Sequence, residues 1–393
     1  MKSKERIKKS MTLGTPDKVP LMCQLSIGHY FLNSGIDPIE LWFSSEAYVE
    51  ALFRLAERYR FDGILINLPG RPRDVMSLIS GIENKHDDII IRWDDGFFTR
   101  VPSDDNPHFY NPEGERIFPR FEDIDPALLY YIEPWDITEV TYPYSWGFQS
   151  AVNDFTNFFP DYHLDPIKSA VKRNTNDLSI HSEIFSPWSQ FMELLNYESA
   201  LMAIMDDPVK VKECLGQLTK GAVDLALSQA DCGVDAILIS SAFAGAGLIS
   251  RDHYAEFVLP FEKKIVHSVQ DKFSIPVYTH TCGSIGDRLD LMLETGTNGI
   301  DTLDPPPLGT VELPVAKQYL ENKAFIKGNI DPVNTLLYGS HEDIVRDVKW
   351  RIDVGMQGGG FILSTACSVA PMTPPENIEL LSELIEEKGK YML

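Results

Sequence analysis

The strongest constraint on the fold of this chain is a repeated alternation of short apolar runs with longer amphipathic segments. Most of the runs are bounded by Gly, Pro or Asp, and most are too continuous to be half-exposed strands. This pattern predicts buried parallel strands. Eight such runs occur, at residues 19–24, 62–68, 178–184, 235–241, 275–281, 299–304, 324–330 and 361–366.

The segments between these runs have the apolar spacing of helices. One of them begins at Pro208 after two aspartates, a pattern that is typical of a helix start. Eight strands that alternate with helices favour an α/β fold of the closed (β/α)8 TIM-barrel type, with an open doubly wound sheet as the alternative. The predicted helices are residues 45–60, 208–230, 252–271, 285–294, 313–321, 341–355 and 375–387.

The alternation breaks between the second and third predicted strands, which more than a hundred residues separate. Within this stretch, residues 89–102 predict a hairpin that turns at Asp94, Asp95 and Gly96. The chain contains no internal repeat and no low-complexity linker. We therefore predict a single TIM-barrel domain over residues 1–393, in which an insertion at residues 85–170 forms a lid over the barrel mouth.

Charge and apolar content exclude several classes of function. The 393 residues include 35 Lys and Arg against 58 Asp and Glu, a formal net charge of -23 that repels nucleic acids. No apolar stretch approaches the roughly 20 residues that span a bilayer, so no membrane association is expected. The basic N-terminus lacks the apolar core of a secretory signal, which predicts a cytoplasmic protein with reduced cysteines.

A candidate metal site lies at the ends of two predicted strands. His280 and Cys282 end the fifth run, and Cys367 follows the eighth. Residues two apart on a strand face the same side, and the carboxyl ends of barrel strands face the active site. A His-x-Cys pair alone is more often core packing, but a second thiol at the same rim favours Zn²⁺ with one open position.

Other polar residues at strand ends are candidates for catalysis. Glu183 ends the third run, where it is a candidate fourth zinc ligand or general acid, or a structural carboxylate. Asp301 and Asp304 end the sixth run, and either is placed to orient His280 through its second ring nitrogen. We take Glu183 and Asp304 as the catalytic candidates. The candidate substrate contacts are His29, Tyr30, Asn67, Trp188 and Asn329.

Long stretches of the chain resemble the uroporphyrinogen decarboxylase superfamily. The most specific is KGNIDPVNTLLYGSHEDI at residues 327–344, and residues 5–21, 194–219 and 247–266 also resemble the family. HTCGSIGDRL at residues 280–289, together with GGFILSTACSVAPMTPPENI at residues 359–378, is similar to its cobamide-dependent methyltransferase branch. Those enzymes bind zinc through a His-x-Cys pair and a distant Cys, so the resemblance implies that His280, Cys282 and Cys367 are the ligands.

The decarboxylases of the same family are an alternative that the basic residues disfavour. Their substrate carries many carboxylates, which require arginines as bidentate partners. This chain has no Lys or Arg from Val19 to Phe53, where the decarboxylases carry an arginine-rich segment. The nearest candidates for that role are Arg71 and Arg73 after the second predicted strand, with a solvated loop as the alternative for both.

The resemblance implies transfer of a methyl group between a small molecule and a corrinoid. The chain contains no D-x-H-x-x-G motif, so we expect the corrinoid on a partner protein that docks over the mouth. Aromatic residues in the insertion favour a methoxylated aromatic donor, and hence O-demethylation, unless they form the lid's own core. They are Tyr130, Tyr131, Trp135, Tyr142, Tyr144, Trp146 and Phe148.

Two other activities and an oligomeric state stay open at this point. Transfer of the methyl group to a thiol such as coenzyme M is the alternative reaction, and thiolate ligands on zinc favour thiol activation. A corrinoid or tetrapyrrole carrier without chemistry is a second alternative, which three soft ligands disfavour because exposed thiolates oxidise readily. Barrels often pair through their helices, so a homodimer is a further expectation.

Overall fold

The computed structural model describes residues 1–391 except residues 86–87, 95, 104, 106, 116–117, 133–157 and 176. Seven of its strands form one parallel sheet in the order β1-β6-β7-β8-β9-β10-β11, and β2 to β5 form a separate antiparallel sheet. The strands are β1 (Gly63–Ile66), β2 (Ile79–Lys85), β3 (Asp88–Trp93), β4 (Phe98–Pro102), β5 (His108–Tyr110), β6 (Ser179–Phe185), β7 (Ala236–Ser240), β8 (Val277–Thr281), β9 (Gly299–Thr302), β10 (Phe325–Ile330) and β11 (Phe361–Thr365).

An extended segment at residues 19–25 closes the parallel sheet into a barrel. It forms parallel bridges to the last strand at Leu21–Leu363 and just beyond that strand at Leu25–Val369. On its other side, the Asp62 N–H donates to the Leu21 carbonyl at 2.7 Å, next to β1. The predicted TIM barrel is confirmed, but its first strand is a bridged extended segment and not a regular strand.

The helices follow the predicted alternation, with two differences. The predicted helix at 252–271 is two helices that meet at Val258, because Pro260 lies in the first turn of the second and lacks an N–H. The predicted helix at 285–294 begins only at Leu289. Among the described residues, no helix combines the length and apolar character needed to cross a bilayer. The helices are α1 (Ser3–Met11), α2 (Ile27–Asn33), α3 (Pro38–Phe43), α4 (Ser45–Tyr59), α5 (Asp165–Arg173), α6 (Pro187–Leu195), α7 (Tyr197–Asp206), α8 (Pro208–Asp231), α9 (Arg251–Phe257), α10 (Leu259–Gln270), α11 (Leu289–Glu294), α12 (Leu313–Leu320), α13 (His341–Gly355) and α14 (Pro375–Lys388).

The described part of the insertion contains the antiparallel sheet β2-β3-β4-β5. The predicted hairpin is present, with Ile89 opposite Val101 and the Trp93 N–H donating to the Phe97 carbonyl at 2.9 Å. Asp95, which we expected in its turn, lies outside the described residues. The lid over the mouth stays a prediction, since much of the segment expected to form it also lies outside them.

Tyr130 and Tyr131, the first two of the seven candidate stacking residues, pack against the outer helix α8. The Tyr130 hydroxyl donates to Asp224, and a Cβ at Gly221 would lie 2.1 Å from the Tyr130 carbonyl oxygen. Tyr131 is 1% exposed and packs edge-on against Phe159. These two rings therefore support the insertion, which is the alternative left open for them, and do not line the mouth. The other predicted stacking residues lie outside the described residues: Trp135, Tyr142, Tyr144, Trp146 and Phe148.

The barrel interior is apolar towards the amino ends of its strands. Helix α1 covers this end, where Arg6 pairs with the buried Asp62 at 2.5 Å. Because this end is filled and closed, an open site can lie only towards the carboxyl ends of the strands. The apolar side chains of this interior are Ile7, Met11, Met22, Leu65, Ala236, Leu238, Tyr278, Phe325 and Ile362.

A buried carboxyl group outside the barrel links stability to pH. Glu262 of α10 is fully buried, and burial raises its pKa to about 7, an effect that the hydroxyls of Ser241 and Tyr254 oppose only in part. Between the ordinary pKa of 4.5 and this value, the folded state holds a proton that the unfolded chain releases. Stability is therefore full below about pH 4.5 and falls as the pH rises through 7.

We expect Glu262→Gln to remove this loss. At pH 8 the variant should exceed the parent in free energy of unfolding by on the order of 3 kcal/mol, and at pH 4.5 the two should be nearly equal. Urea unfolding at the two pH values measures both differences. A difference that does not change with pH would contradict the expected titration of Glu262.

Candidate metal centre and active site

Three predicted ligands meet at the mouth of the barrel. His280 lies on β8, Cys282 follows that strand directly, and Cys367 follows β11. The His280 Nε2 is 3.3 Å from the Cys282 Sγ, which is 3.9 Å from the Cys367 Sγ. The three donor atoms lie within 4.8 Å of one another, a spacing that one ion can bridge. Since β9 and β10 separate the two strands, the curvature of the barrel brings the second thiol to the first.

The two thiols and the imidazole share protons unequally. The pKa of Cys367 is lowered well below its ordinary value, because Cys282 and then His280 hydrogen-bond to its sulfur. The pKa of Cys282 is raised in turn, since it is hydrogen-bonded to Cys367. A thiolate beside a thiol and an imidazole is a donor set with the charge and softness that Zn²⁺ prefers.

A buried ion pair holds His280 in position. The Asp301 Oδ2 lies 3.0 Å from the His280 Nδ1, and the Lys327 Nζ donates to the Asp301 Oδ1 at 2.9 Å. The side chains of Asp301 and Lys327 are each only 2% exposed. Asp301 accepts from Nδ1, so Nε2 is the ring nitrogen that faces the two thiols and would be the one to bind a metal.

Of the two aspartates expected to orient His280, the structure therefore selects Asp301. Asp304 instead accepts the backbone N–H of Gly283 at 2.5 Å, and so holds the residue that follows Cys282. Burial raises the pKa of Asp304 to about 6. Asp304 thus contacts the loop that carries the thiol and leaves the imidazole to Asp301.

Polar side chains of five consecutive strands form a belt on the inner face of the barrel. The parallel register pairs Ser240 with His280, His280 with Asp301, and Asp301 with Lys327. Glu183 lies one step away, paired with the interior residue Leu238. Lys327 was not among the predicted site residues, although a lysine inside the apolar run AFIKGNI could have indicated it.

Glu183 offers a proton-accepting oxygen inside the barrel. Its side chain is buried, and burial raises its pKa to about 7, while His280 and Ser240 lower it in part. Its Oε2 has no hydrogen-bond partner among the described residues. A carboxyl group with this pKa can donate or accept a proton near neutral pH.

Three of the predicted substrate contacts lie on α2 and just after β1: His29 and Tyr30 belong to α2, and Asn67 follows β1. His29 is fully buried, with Nε2 2.8 Å from the Tyr59 hydroxyl and its pKa lowered to about 4 by burial. Tyr30 packs edge-on against Tyr48, whose hydroxyl donates to the Asn67 Oδ1 at 2.7 Å. The ring nitrogens of His29 are occupied by the protein, which differs from our expectation of a substrate contact.

The other two predicted substrate contacts are also engaged by the protein. The Trp188 Nε1 donates to the Phe243 carbonyl at 3.1 Å. The Asn329 amide donates to the Leu303 carbonyl and accepts from Arg351 at 2.7 Å. Each side chain is 1% exposed, so both support the mouth from within the packed structure instead of facing it.

The fold and this site can be compared with known proteins. The sequence profile of the uroporphyrinogen decarboxylase (URO-D) family matches residues 151–388. The chain belongs to this family. The family predicted from the sequence motifs is therefore confirmed.

Named relatives fall into two groups of enzymes. The chain is 29% identical over 220 residues to the methylcobamide:CoM methyltransferase MtbA of Methanosarcina acetivorans, over 56% of this chain and 61% of that protein. It is 24% identical over 239 residues to the uroporphyrinogen decarboxylase of Rickettsia akari, over 58% of this chain and 67% of the decarboxylase. The matched region thus spans less than two thirds of the length of MtbA.

Solved structures confirm the fold. A methyltransferase from Methanosarcina mazei superposes with a TM-score of 0.68 at 18% identity, over 98% of this chain and 99% of that one. A B12-independent methionine synthase from a Shewanella species gives a TM-score of 0.51 at 12% identity, over 94% of this chain and 97% of that one. At these identities the likeness concerns the fold alone.

Proposed function

We propose that this protein is a zinc-dependent methyltransferase that moves a methyl group between a small molecule and a corrinoid carried by a partner protein. The observation that carries the proposal is the convergence of the His280 Nε2 and the thiols of Cys282 and Cys367 within 4.8 Å. The relationship to a protein named methylcobamide:CoM methyltransferase supports the corrinoid.

Decarboxylation is disfavoured by the three candidate metal ligands and by the distribution of basic residues. A decarboxylase of a polycarboxylate needs arginines at the site, and residues 19–53 supply no Lys or Arg. Two thiols and an imidazole that meet at the mouth would serve no purpose in such a reaction. The soft donor set therefore favours methyl transfer over decarboxylation for this chain.

His280, Cys282 and Cys367 would hold the zinc. Nitrogen and sulfur donors at this spacing match its preferences, and three protein ligands leave a fourth position for substrate. When bound there, zinc acts as a Lewis acid that lowers the pKa of a thiol or polarises an ether oxygen. Asp301 orients the imidazole, and Lys327 fixes the direction of Asp301.

Glu183 is the proposed acid–base group. Its Oε2 faces the interior without a described partner, and its pKa of about 7 suits proton transfer in either direction. Protonated, it would supply a proton to the oxygen that leaves in an O-demethylation. Ionised, it would accept the proton of a thiol. Asp304, the other proposed catalytic residue, acts by holding the loop after Cys282.

The favoured substrate is a methoxylated aromatic compound that is O-demethylated. The aromatic residues of segment 133–157 support this choice, because flat rings stack well on them. Methyl transfer to a thiol is the second candidate, and the name of the related MtbA favours it. The two candidate reactions differ in whether the methyl group moves to the corrinoid or from it, so one set of assays can distinguish them.

We expect the zinc-loaded protein to demethylate 2-methoxyphenol with cob(I)alamin, kept reduced by titanium(III) citrate. The ether, cob(I)alamin and one proton would give catechol and methylcobalamin, which the visible spectrum reports. In the reverse direction, a thiol and methylcobalamin would give a thioether, cob(I)alamin and one proton. Turnover of thiols alone would reject O-demethylation, and turnover of neither class by folded, zinc-loaded protein would reject methyl transfer.

A further inference from the structure

Basic residues are unevenly distributed around the mouth of the barrel. The barrel consists of the extended segment at residues 19–25 and the seven strands of the parallel sheet. The chain holds 35 Lys and Arg, but none occurs in the stretches that directly follow seven of these eight elements. In a TIM barrel these stretches build the substrate site. They are residues 26–44, 186–209, 241–250, 282–287, 303–316, 331–345 and 366–387.

In the remaining stretch, which follows β1, the first two arginines contact parts of the protein outside the barrel mouth. The Arg71 guanidinium lies over the Trp42 ring at 4.7 Å, and its Nε donates to the Trp42 carbonyl. Arg73 lines a groove among the outer helices, together with Glu46 of α4 and Lys168 of α5. Residues 133–157 of the insertion contain four acidic residues and no Lys or Arg.

Two buried cations near the mouth are already engaged. Lys327 forms its ion pair with Asp301 inside the barrel. Arg288 is fully buried and donates to the carbonyls of Ala244 and Ile249 at 2.7 and 3.1 Å. An anionic substrate would have to displace these protein partners before either cation could bind it.

Three of the helices that follow barrel strands, α6, α9 and α13, carry side-chain caps at their amino termini, where anions can otherwise bind. Ser186 accepts from the Ser189 N–H at the start of α6, and Ser250 accepts from the His253 N–H at the start of α9. Ser340 caps α13 in the same way. These first-turn amides are therefore not available to a substrate.

Three oxygens towards the barrel interior can still accept a hydrogen bond. Among the described residues, the Glu183 Oε2, the Gln24 Oε1 and the Ser364 Oγ are buried without a hydrogen-bond partner. Ser364 lies two residues beyond the interior residue Ile362, and Gln24 lies two beyond Met22, so both share the inner face. Buried acceptors without partners favour a ligand that brings N–H or O–H donors.

We propose that the site selects a neutral or cationic methyl substrate and rejects an anionic one. An anionic group on the substrate would be buried beside Glu183 and Asp304, a large desolvation cost in a low-dielectric site. The reacting sulfur or oxygen would take the open position of the proposed zinc, and Lys327 and Arg288 already have protein partners. A hydroxyl or ammonium group would instead satisfy the open acceptors. This inference rests on the proposed methyl transfer and narrows its substrate class.

A matched series of thiols tests the selectivity. 2-Mercaptoethylamine, 2-mercaptoethanol and 2-mercaptoethanesulfonate share a two-carbon chain and differ mainly in charge. With methylcobalamin and zinc-loaded protein, kcat/KM per thiolate should be at least about tenfold lower for the sulfonate than for the alcohol. For the ether direction, 3-methoxyphenol should likewise exceed 3-methoxybenzoate. Preference for either anion would overturn the proposal.

Binding provides a readout that does not require turnover. Titration calorimetry of the same compounds against zinc-loaded protein should rank them in the same order. If nothing turns over but the alcohol and amine bind more tightly than the sulfonate, methyl transfer fails and the charge selectivity stands. If the sulfonate turns over best, methyl transfer stands and the selectivity is wrong.

Two variants locate the selectivity in the interior. Glu183→Gln should reduce the preference for the amine over the alcohol by about tenfold, because it removes the interior carboxylate. Gln24→Lys should raise kcat/KM for the sulfonate relative to the alcohol, since it adds a cation on the inner face. Glu213→Lys, on the exposed surface of α8, is the matched control and should leave both ratios unchanged. Unchanged ratios in both interior variants would contradict the proposed location.

Discussion

Cys367→Ala should reduce the zinc content of the purified protein from about one ion per chain to nearly none. The substitution removes one of the three donor atoms that lie within 4.8 Å of one another, and Cys282 and His280 alone cannot complete the site. It also removes the sulfur whose pKa is lowered, so the cluster loses its most readily formed thiolate. Elemental analysis of parent and variant, purified side by side, measures the change.

Cys214→Ala is the matched control. Cys214 is a buried cysteine on α8, and burial raises its thiol pKa to about 12. Its loss should lower stability without changing zinc content. A parent protein that is folded, reduced and free of zinc would contradict the proposed centre, as would equal loss of zinc in the two variants.

The positions of the barrel strands were predictable because buried parallel strands are continuous apolar runs. The run at 324–330, for example, becomes β10 at Phe325–Ile330. The first run is the exception, since Pro20 lacks the N–H that a regular ladder requires. The segment is nevertheless extended and closes the barrel through bridges to Leu363 and Val369.

Part of the metal cluster was predictable for a local reason and part for a topological one. His280 and Cys282 face the same side because side chains alternate along a strand. Cys367 is 85 residues away from Cys282, and only the closed barrel brings the two sulfurs to 3.9 Å. The fold prediction therefore had to be right before the third donor could be assigned.

The sequence did not predict which side chains from distant segments would be the hydrogen-bond partners of the candidate residues. Asn329 ends its strand where a substrate contact is reasonable, but Arg351 of α13 and the Leu303 carbonyl occupy its amide. His29 is occupied in the same way by Tyr59. Periodicity identifies which face a residue lies on, but it does not identify the neighbour that satisfies its polar atoms.

Lys327→Met should lower the free energy of unfolding by about 3–5 kcal/mol, because it leaves the buried carboxylate of Asp301 without its cation. Asp301→Asn should cost a similar amount, since it leaves the Lys327 ammonium unpaired. The double variant has no buried charge at either position. Its loss should be smaller than the sum of the single losses by about 2–3 kcal/mol, as measured by denaturant unfolding.

An exposed pair provides the comparison for this cycle. The Lys349 Nζ lies 2.6 Å from Glu387, with the two side chains 29% and 58% exposed, so Lys349→Met should cost less than about 1 kcal/mol. An equally small loss in Lys327→Met would show that the interior pair is not the buried ion pair described above.

Measuring zinc binding in the same variants distinguishes the effect of Asp301 on the orientation of His280 from its effect on stability. The double variant should regain stability, yet it still lacks the carboxylate that accepts from the His280 Nδ1. Its zinc affinity, measured by competition with a chelator, should therefore stay about 10- to 100-fold below that of the parent protein. If stability and zinc affinity recovered together, Asp301 would serve only to neutralise Lys327, and the orientation of His280 would have to come from Thr302, whose hydroxyl lies 2.9 Å from the same ring nitrogen.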